Sequence, residues 1–379
     1  MQWHHNGLLM VKISHNSYRV LPTIKTEKMK KLNYMKKIAM AASITIFTLS
    51  SANNSFAQDI DAANDPHIES HVKVFLKAVN TSGGKPIEEL SPKDGRAVLT
   101  SVNSSVKVDL SGIEVTEKTI NTDGLTIKLN IVRPKGVTGI LPVFMFFHGG
   151  GWVLGDFPTH ERLVRDLVHY SGAVAVFVNY SRSPEVKFPV AINQAYAATK
   201  WVASNGKSIG VDGSRLAVVG NSVGGNMAAV VALMAKDKKG PSIKFQVLMW
   251  PVTDANFETE SYNKFATQRF LTKTVMQYYW NSYTNTTEER ANIYASPLKA
   301  SLEELSGLPP ALIQTAENDV LRDEGEAYAR KLDQAGVPVS WIRLNGLIHD
   351  YGLLNPLANV PNVKTAMLQA ATEIKYHLK

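Results

Sequence analysis

The chain of 379 residues contains no cysteine, which removes disulfide frameworks, thiolate nucleophiles and cysteine-based metal sites. From residue 58 onward it also lacks internal repeats, low-complexity runs and any linker long enough to separate independent domains. No long apolar, polar-free stretch occurs there either, so no oil-surface lid is expected. An excess of one charge is missing as well. The formal net charge is +8, but residues 1–57 hold seven Lys, one Arg and one Glu and so carry +7, leaving +1 for residues 58–379. Nucleic acid is therefore excluded as a partner on charge grounds. What is present, 44% hydrophobic and 20% charged residues, is the balance of an ordinary globular protein able to bury a large core.

The positive excess belongs to a leader. Met29-Lys-Lys and Met35-Lys-Lys make a basic start, Ile38 to Leu49 an apolar stretch, and Ser55-Phe56-Ala57 a small-x-small cleavage site, the pattern of an export signal. The apolar stretch is well short of the ~20 residues that span a bilayer, so no stable membrane anchor is expected. Residues 1–57 read as an upstream extension plus signal peptide, with translation starting at Met29 or Met35. Cleavage near Ala57 would leave Gln58 first, on a periplasmic or secreted protein.

Residues 58–379 read as one domain. Two early helices are expected, one starting at Asp65-Pro66 and one at Ser91-Pro92. Strands at Ile113–Ile120 and Leu125–Val132 flank Asn121-Thr-Asp-Gly124, a hairpin turn signal. Mostly apolar runs follow at Val143–Phe147, Ala173–Val178, Leu216–Val219, Phe245–Leu248, Ala311–Thr315 and Val339–Leu344, alternating with helical segments. Such runs mark strands buried on both faces of a mostly parallel, doubly wound α/β sheet. An aromatic-rich helical insertion between Pro251 and Leu308 interrupts the alternation with Phe257, Tyr262, Phe265, Phe270, Tyr278, Tyr279, Trp280 and Tyr283. Together with residues of about 58–110, the stretch 253–290 is expected to cap the sheet. Most of those rings are at least as suited to packing as to touching a substrate.

The chemistry centres on Gly220-Asn-Ser222-Val-Gly224, where the apolar run Leu216–Val219 turns into a helical segment. Gly-x-Ser-x-Gly between strand and helix is the spacing of a nucleophile elbow, whose glycines let the two elements pass closely. Some seventy residues earlier, His148-Gly149-Gly150-Gly151-Trp152 follows a strand. Consecutive glycines bring bare N–H groups near a ligand oxygen, as an oxyanion hole requires. A serine also needs a base. Only His349 and His377 come after Ser222, and His377 is third from the end, on a terminal helix that frays. His349, in a loop after the last strand, is the better base. Two carboxylates end strands where sites on open α/β sheets are built, Asp254 and Asp319, and both remain contenders for the orienting acid. Asp323 reads as a first-turn acid of its own helix.

His148-Gly-Gly-Gly-Trp152, Tyr180-x-x-x-Pro184-Glu185, Gly220-Asn-Ser-Val-Gly-Gly225, Ser296-Pro-Leu, Asp319-x-Leu-Arg-Asp-Glu324 and Gly346-x-x-His349 together resemble the hormone-sensitive lipase family of α/β-hydrolases, the bacterial family IV carboxylesterases. The resemblance runs from about residue 64 to the C-terminus. It implies an α/β-hydrolase fold with a helical cap and a triad of Ser222, Asp319 and His349. It further implies oxyanion donors at Gly150, Gly151 and Val223, and hydrolysis of short-acyl esters through an acyl-enzyme, without metal or cofactor. The partner implied is a small-molecule ester, bound by a monomer or homodimer. Four positions depart from the pattern: Asn221 and Val223 stand where Asp and Ala commonly flank the serine, and Asp350-Tyr351 stands where Gly-Phe commonly follows the histidine. Asp350 is placed to perturb the pKa of its neighbour.

Other readings compete. His67-Ile-Glu-Ser-His71 would put two histidines at i and i+4 of one helix face, but its glutamate does not directly follow the first histidine as in zinc proteases. The same triad serves amidases and lactonases, and some relatives of such folds bind ligands without catalysis.

Overall fold

The run Leu141–Phe147 shows how the sheet is made. Its side chains alternate between faces: Val143, Met145 and Phe147 enter one apolar cluster, Phe144 and Phe146 another. All five are fully buried, the state that an unbroken apolar strand requires. The computed structural model describes residues 61–379, so the extension and export signal expected over residues 1–57 lie outside the described residues.

The sheet has eight strands in the order β1-β2-β4-β3-β5-β6-β7-β8. They are β1 (Ile113–Thr122), β2 (Leu125–Pro134), β3 (Leu141–Phe147), β4 (Val174–Asn179), β5 (Val211–Asn221), β6 (Phe245–Met249), β7 (Ala311–Asn318) and β8 (Val339–Ile348). β1 and β2 form the expected antiparallel hairpin, β2 runs antiparallel to β4, and the remaining neighbours are parallel. At the hairpin, Asp123 and Gly124 both take positive φ, 51° and 73°, as a two-residue type I′ connection needs.

Helices α1 (Ser70–Asn80), α2 (Pro92–Ser104), α3 (Phe157–Ser171), α4 (Val190–Asn205), α5 (Val223–Asp237), α6 (Glu260–Lys264), α7 (Lys273–Tyr283), α8 (Thr287–Ala291), α9 (Leu302–Leu305), α10 (Arg322–Gln334) and α11 (Pro361–His377) accompany the sheet. Leu163 and Leu167 of α3 and Val363 and Ile374 of α11 join Phe144 and Phe146 on one face. Val202 of α4, Val230 of α5 and Leu332 of α10 join Met145 and Phe147 on the other. Each such side chain contributes about 1.5–3 kcal/mol when fully buried, so the layers on both faces hold the strand ends in fixed positions. Among the described residues no helix is long and apolar enough to cross a membrane.

One expected helix start is corrected. α2 does begin at Ser91-Pro92, with the Ser91 hydroxyl accepting the Asp94 N–H, but α1 begins at Ser70 with Glu69 as its cap, not at Asp65-Pro66. Asp65 serves elsewhere: its carboxylate accepts the His67 N–H and makes a buried ion pair with Arg269 at 2.8 Å. His67 therefore lies outside the helix and shares no helical face with His71, whose ring meets Glu69 at 2.8 Å. The Asp65–Arg269 pair, a Phe75–Phe270 ring contact at 5.8 Å and a bond from Asn80 to Gln268 O join the N-terminal segment to the later insertion.

Candidate active site

Strand β5 ends at Asn221 and α5 starts at Val223, leaving Ser222 at the corner with φ 55° and ψ −122°. A non-glycine residue in that region costs on the order of 1–3 kcal/mol, so its surroundings must enforce it. They do so by close approach. A Cβ on Gly220 would run into Gly224 O, and one on Gly224 into Phe147 O. The Ser222 N–H donates to Met249 O at 2.9 Å, which ties the corner to the end of β6.

His349 stands just past β8 and Asp319 just past β7. His349 Nε2 lies 3.0 Å from Ser222 Oγ, and Nδ1 lies 2.8 Å from Asp319 Oδ2. The other carboxylate oxygen, Asp319 Oδ1, accepts the Leu321 N–H at 3.0 Å, fixing the carboxylate plane. All three side chains are buried. Burial alone would lower the His349 pKa, but the charges of Asp319 and Asp350 and the hydrogen bond to Asp319 outweigh it and hold the pKa above the ordinary imidazole value. The neighbouring imidazoles go the other way: burial drives His148 well below its usual value and His160 down to about 4. A neutral imidazole donating Nδ1–H to Asp319 and accepting from Ser222 at Nε2 is arranged for proton transfer.

The other contenders sit elsewhere. Asp254 pairs with Lys299 at 3.0 Å, His377 stacks on Phe245 at 4.0 Å, and Asp323 accepts the Ser261 N–H from its place in the first turn of α10. Among the described residues, no group of three or more His, Cys, Asp or Glu side chains is arranged to hold a metal ion.

In the glycine loop, Gly150 and Gly151 take φ 103° and 64°, conformations that favour glycine. Tyr279 of α7 lies directly over Gly151, so a Cβ there would enter its ring. Val223 N–H is a first-turn donor of α5 with no intrahelical acceptor. Among the described residues no backbone acceptor takes the N–H of Gly150, Gly151 or Val223. The loop rests on a stack in which His148 lies flat on Tyr180, ring centroids 4.1 Å apart, and Tyr180 Oη donates to His148 O at 2.8 Å.

Of three supporting residues, Arg96, Asn221 and Trp250, only Asn221 is marked in the sequence, as a departure from the motif. Arg96 of α2 donates to Val153 O and Ser183 O and holds Glu185 bidentately at 2.7 and 2.8 Å, pinning the early helix to the loops beside the glycines. Asn221 accepts the Gly149 N–H at 3.0 Å and donates to Asp350 at 3.3 Å. Trp250 Nε1 donates to the same Asp350 oxygen at 2.9 Å. Arg96 needs a distant partner loop to acquire meaning, and so do the other two.

A cavity of about 780 Å³ opens onto Ser222 and His349, within the range of small-molecule sites. Its walls come from the N-terminal segment, the glycine loop and the insertion, including Leu99, Leu154, Phe270, Leu271, Val275 and Tyr279. Of the aromatic insertion, Phe270 and Tyr279 face the cavity, while Tyr283 stacks on Trp152 at 4.0 Å and Trp280 meets its edge. Most of those rings pack.

A strained serine between strand and helix, backed by imidazole and carboxylate from the last two strands of a mostly parallel sheet, defines an α/β-hydrolase. The chain belongs to that family, in its hormone-sensitive lipase branch: the family model described as alpha/beta hydrolase fold matches residues 144–353. A thermostable esterase from Pseudomonas putida is similar in structure, 67% identical with a TM-score of 0.83, covering 83% of this chain and 99% of that one. An esterase of Rhizomucor miehei is 39% identical with a TM-score of 0.77, covering 82% of this chain and 96% of its own. Carboxylesterase NlhH of Mycobacterium tuberculosis is 37% identical across 64% of this chain and 76% of its length.

Proposed function

We infer that this protein is a serine carboxylesterase in which Ser222 is the nucleophile, His349 the general base and acid, and Asp319 the orienting carboxylate. The observation that carries the reading is the unbroken line Ser222 Oγ, His349 and Asp319 at 3.0 and 2.8 Å, opening into an apolar-walled cavity. Ser222 Oγ attacks the acyl carbon while His349 Nε2 takes its proton. The carbonyl oxygen gathers charge facing the N–H groups of Gly150, Gly151 and Val223, which act as oxyanion donors. His349 then protonates the leaving alkoxide, the acyl–oxygen bond breaks, and an acyl ester on Ser222 remains. Water enters, gives its proton to His349 and attacks the same carbon, and the carboxylic acid departs as Ser222 recovers the proton.

Esters rather than amides or lactones are the favoured substrates, in line with the esterase relatives. The cap formed by residues of about 58–110 and 253–290 limits acyl length, because Tyr279, Leu271 and Val275 wall the cavity beside Ser222. Each buried CH₂ adds about 0.8 kcal/mol only while there is room. On p-nitrophenyl esters of increasing chain length, kcat/KM should peak at short acyl chains and then fall. A maximum at long chains, or a rate jump when the substrate forms an emulsion, contradicts this in favour of a lipase. We also propose export with cleavage after Ala57, from the leader pattern; N-terminal sequencing that finds Gln58 supports it, and an exported protein with an intact leader refutes it.

A further inference from the structure

Two of the departures from the family motif, Asn221 and Asp350, are 129 positions apart in sequence, yet they touch. Asn221 Nδ2 donates to Asp350 Oδ1 at 3.3 Å, and Trp250 Nε1 donates to the same oxygen at 2.9 Å. That oxygen lies 3.9 Å from His349 Nε2, on the side of the imidazole away from Asp319. Asp350 is buried and lines the cavity beside Ser222. Its backbone sits at φ 59°, a left-handed position that Asp, Asn and Gly tolerate best.

We propose that Asp350 is a second carboxylate acting on His349, and that Asn221 and Asp350 are a matched pair in which only one position can carry the charge. The proposal rests on the reading of His349 as the base. When His349 takes the serine proton, its new Nε2–H cation faces Asp350 while Nδ1–H faces Asp319, so negative charge flanks the imidazolium on both sides. Asp350 is a positioning and tuning residue, since 3.9 Å is too long for a hydrogen bond in the resting state. The amide at position 221 is chemically required for this arrangement. Its oxygen takes the Gly149 N–H while its nitrogen donates to Asp350, and a carboxylate could perform the first task but not the second. An aspartate there would set two carboxylates in hydrogen-bond contact, and one of them would have to stay protonated.

The other titratable groups around this cluster are few. His160 of α3 shares the Gly149 N–H with Asn221 and feels the Asp350 charge, yet burial keeps it neutral near pH 7 with a pKa of about 4. Tyr279 of α7 also feels Asp350, and burial raises its phenol. Arg162 of α3 binds Gly352 O at 2.6 Å and pairs with Asp166. Asp319 lies beyond the imidazole. Of these, His349 is the group that the Asp350 charge, together with Asp319, holds above its ordinary pKa against burial.

The test is kcat/KM against pH on p-nitrophenyl acetate, a neutral ester, for the wild type, Asp350→Asn, Asn221→Asp and the double variant, with a melting curve for each. Asp350→Asn should remain folded and active with little change in KM, and its acid limb should move down by about one pH unit, the size expected for removing an opposite charge at this distance. Asn221→Asp should lose activity by about tenfold or more, and adding Asp350→Asn should restore most of it, a non-additivity expected only of coupled residues. Should Asp350→Asn fail to fold, Asp350→Gly replaces it at the same positive φ; failure of both makes Asp350 a scaffold residue and overturns the proposal. An active Asp350→Asn with an unmoved acid limb, or additive losses in the double variant, also overturns it. Ser222→Ala run in parallel separates the two levels: if it is inactive, the serine reading survives whatever Asp350 does, and if it is active that reading falls first.

Discussion

The body of the sheet and the rim at the C-terminal ends of its parallel strands are built on opposite terms. In the body, Phe144, Phe146, Val218 and Val247 are fully buried among other apolar side chains, in extended backbone that any β-branched or aromatic residue adopts. At the rim, Trp152, Ser222, Trp250 and Asp350 all take positive φ, and Ser222, Asn221, Asp319, His349 and Asp350 are buried polar groups. Strain and buried polarity each cost stability, of order 1–3 kcal/mol per strained residue. They persist because the packed layers on both faces over-determine the strand ends. The body supplies stability and the rim spends it on geometry.

If that division holds, mutations at the rim should remove turnover without melting the fold, and mutations in the body should do the reverse. The largest effect is expected at Ser222 and His349. Each alanine variant should lose on the order of 10⁶-fold in kcat, and the double variant little more, because the two act as one unit. Additive losses in ester-hydrolysis assays would break the unit apart. Asp319→Asn should follow at about 10⁴-fold, by analogy with neutralising the orienting acid of a serine triad. Asp254→Asn should stay within about tenfold, since its partner is the half-exposed Lys299. The reverse ranking would move the acid to the end of β6. Gly151→Ala should cost about 10²–10³ in kcat, the scale of losing one oxyanion donor, as the added methyl displaces Tyr279 or the loop. Phe146→Ala should instead lower stability by about 3–5 kcal/mol in denaturant titrations, with kcat per folded molecule nearly unchanged. Equal damage to both quantities in both variants would erase the distinction.

A weaker but sharper probe is pH. The flanking charges keep His349 above its usual pKa against the pull of burial, and the base must be neutral to accept the serine proton. Activity should therefore be full at higher pH and fall as pH drops through a value above the ordinary 6.5 of imidazole. An acid limb centred well below that value would mean that burial, not the carboxylates, governs the site.

The same contrast explains what could be read from sequence. Apolar runs mark the body directly, and all the expected strands are found, because burial on both faces leaves no other residue type. The elbow was legible for a related reason: Gly220 and Gly224 are demanded by local crowding between elements adjacent in the chain. The acid is legible only through the family resemblance, which points to Asp319: strand ends alone leave Asp254 and Asp319 equal, and the return path of the β8 loop to Asp319 separates them. The first helix begins at Ser70, later than Asp65-Pro66 suggests, since Asp65 looks like a cap until its distant partner Arg269 is known. Arg96, Trp250 and the Asn221–Asp350 contact were invisible for the same reason: their roles arise only when remote loops converge.

The central claim is that chemistry passes through an ester on Ser222 formed with His349 as base. Acid-quenching the enzyme during turnover of p-nitrophenyl acetate and mapping the acetyl group by peptide mass spectrometry tests it most directly. The account predicts acetyl on the peptide containing Ser222 in the wild type and none in His349→Ala. Acetyl on another residue, or steady hydrolysis without any covalent species while Ser222→Ala stays active, would contradict it.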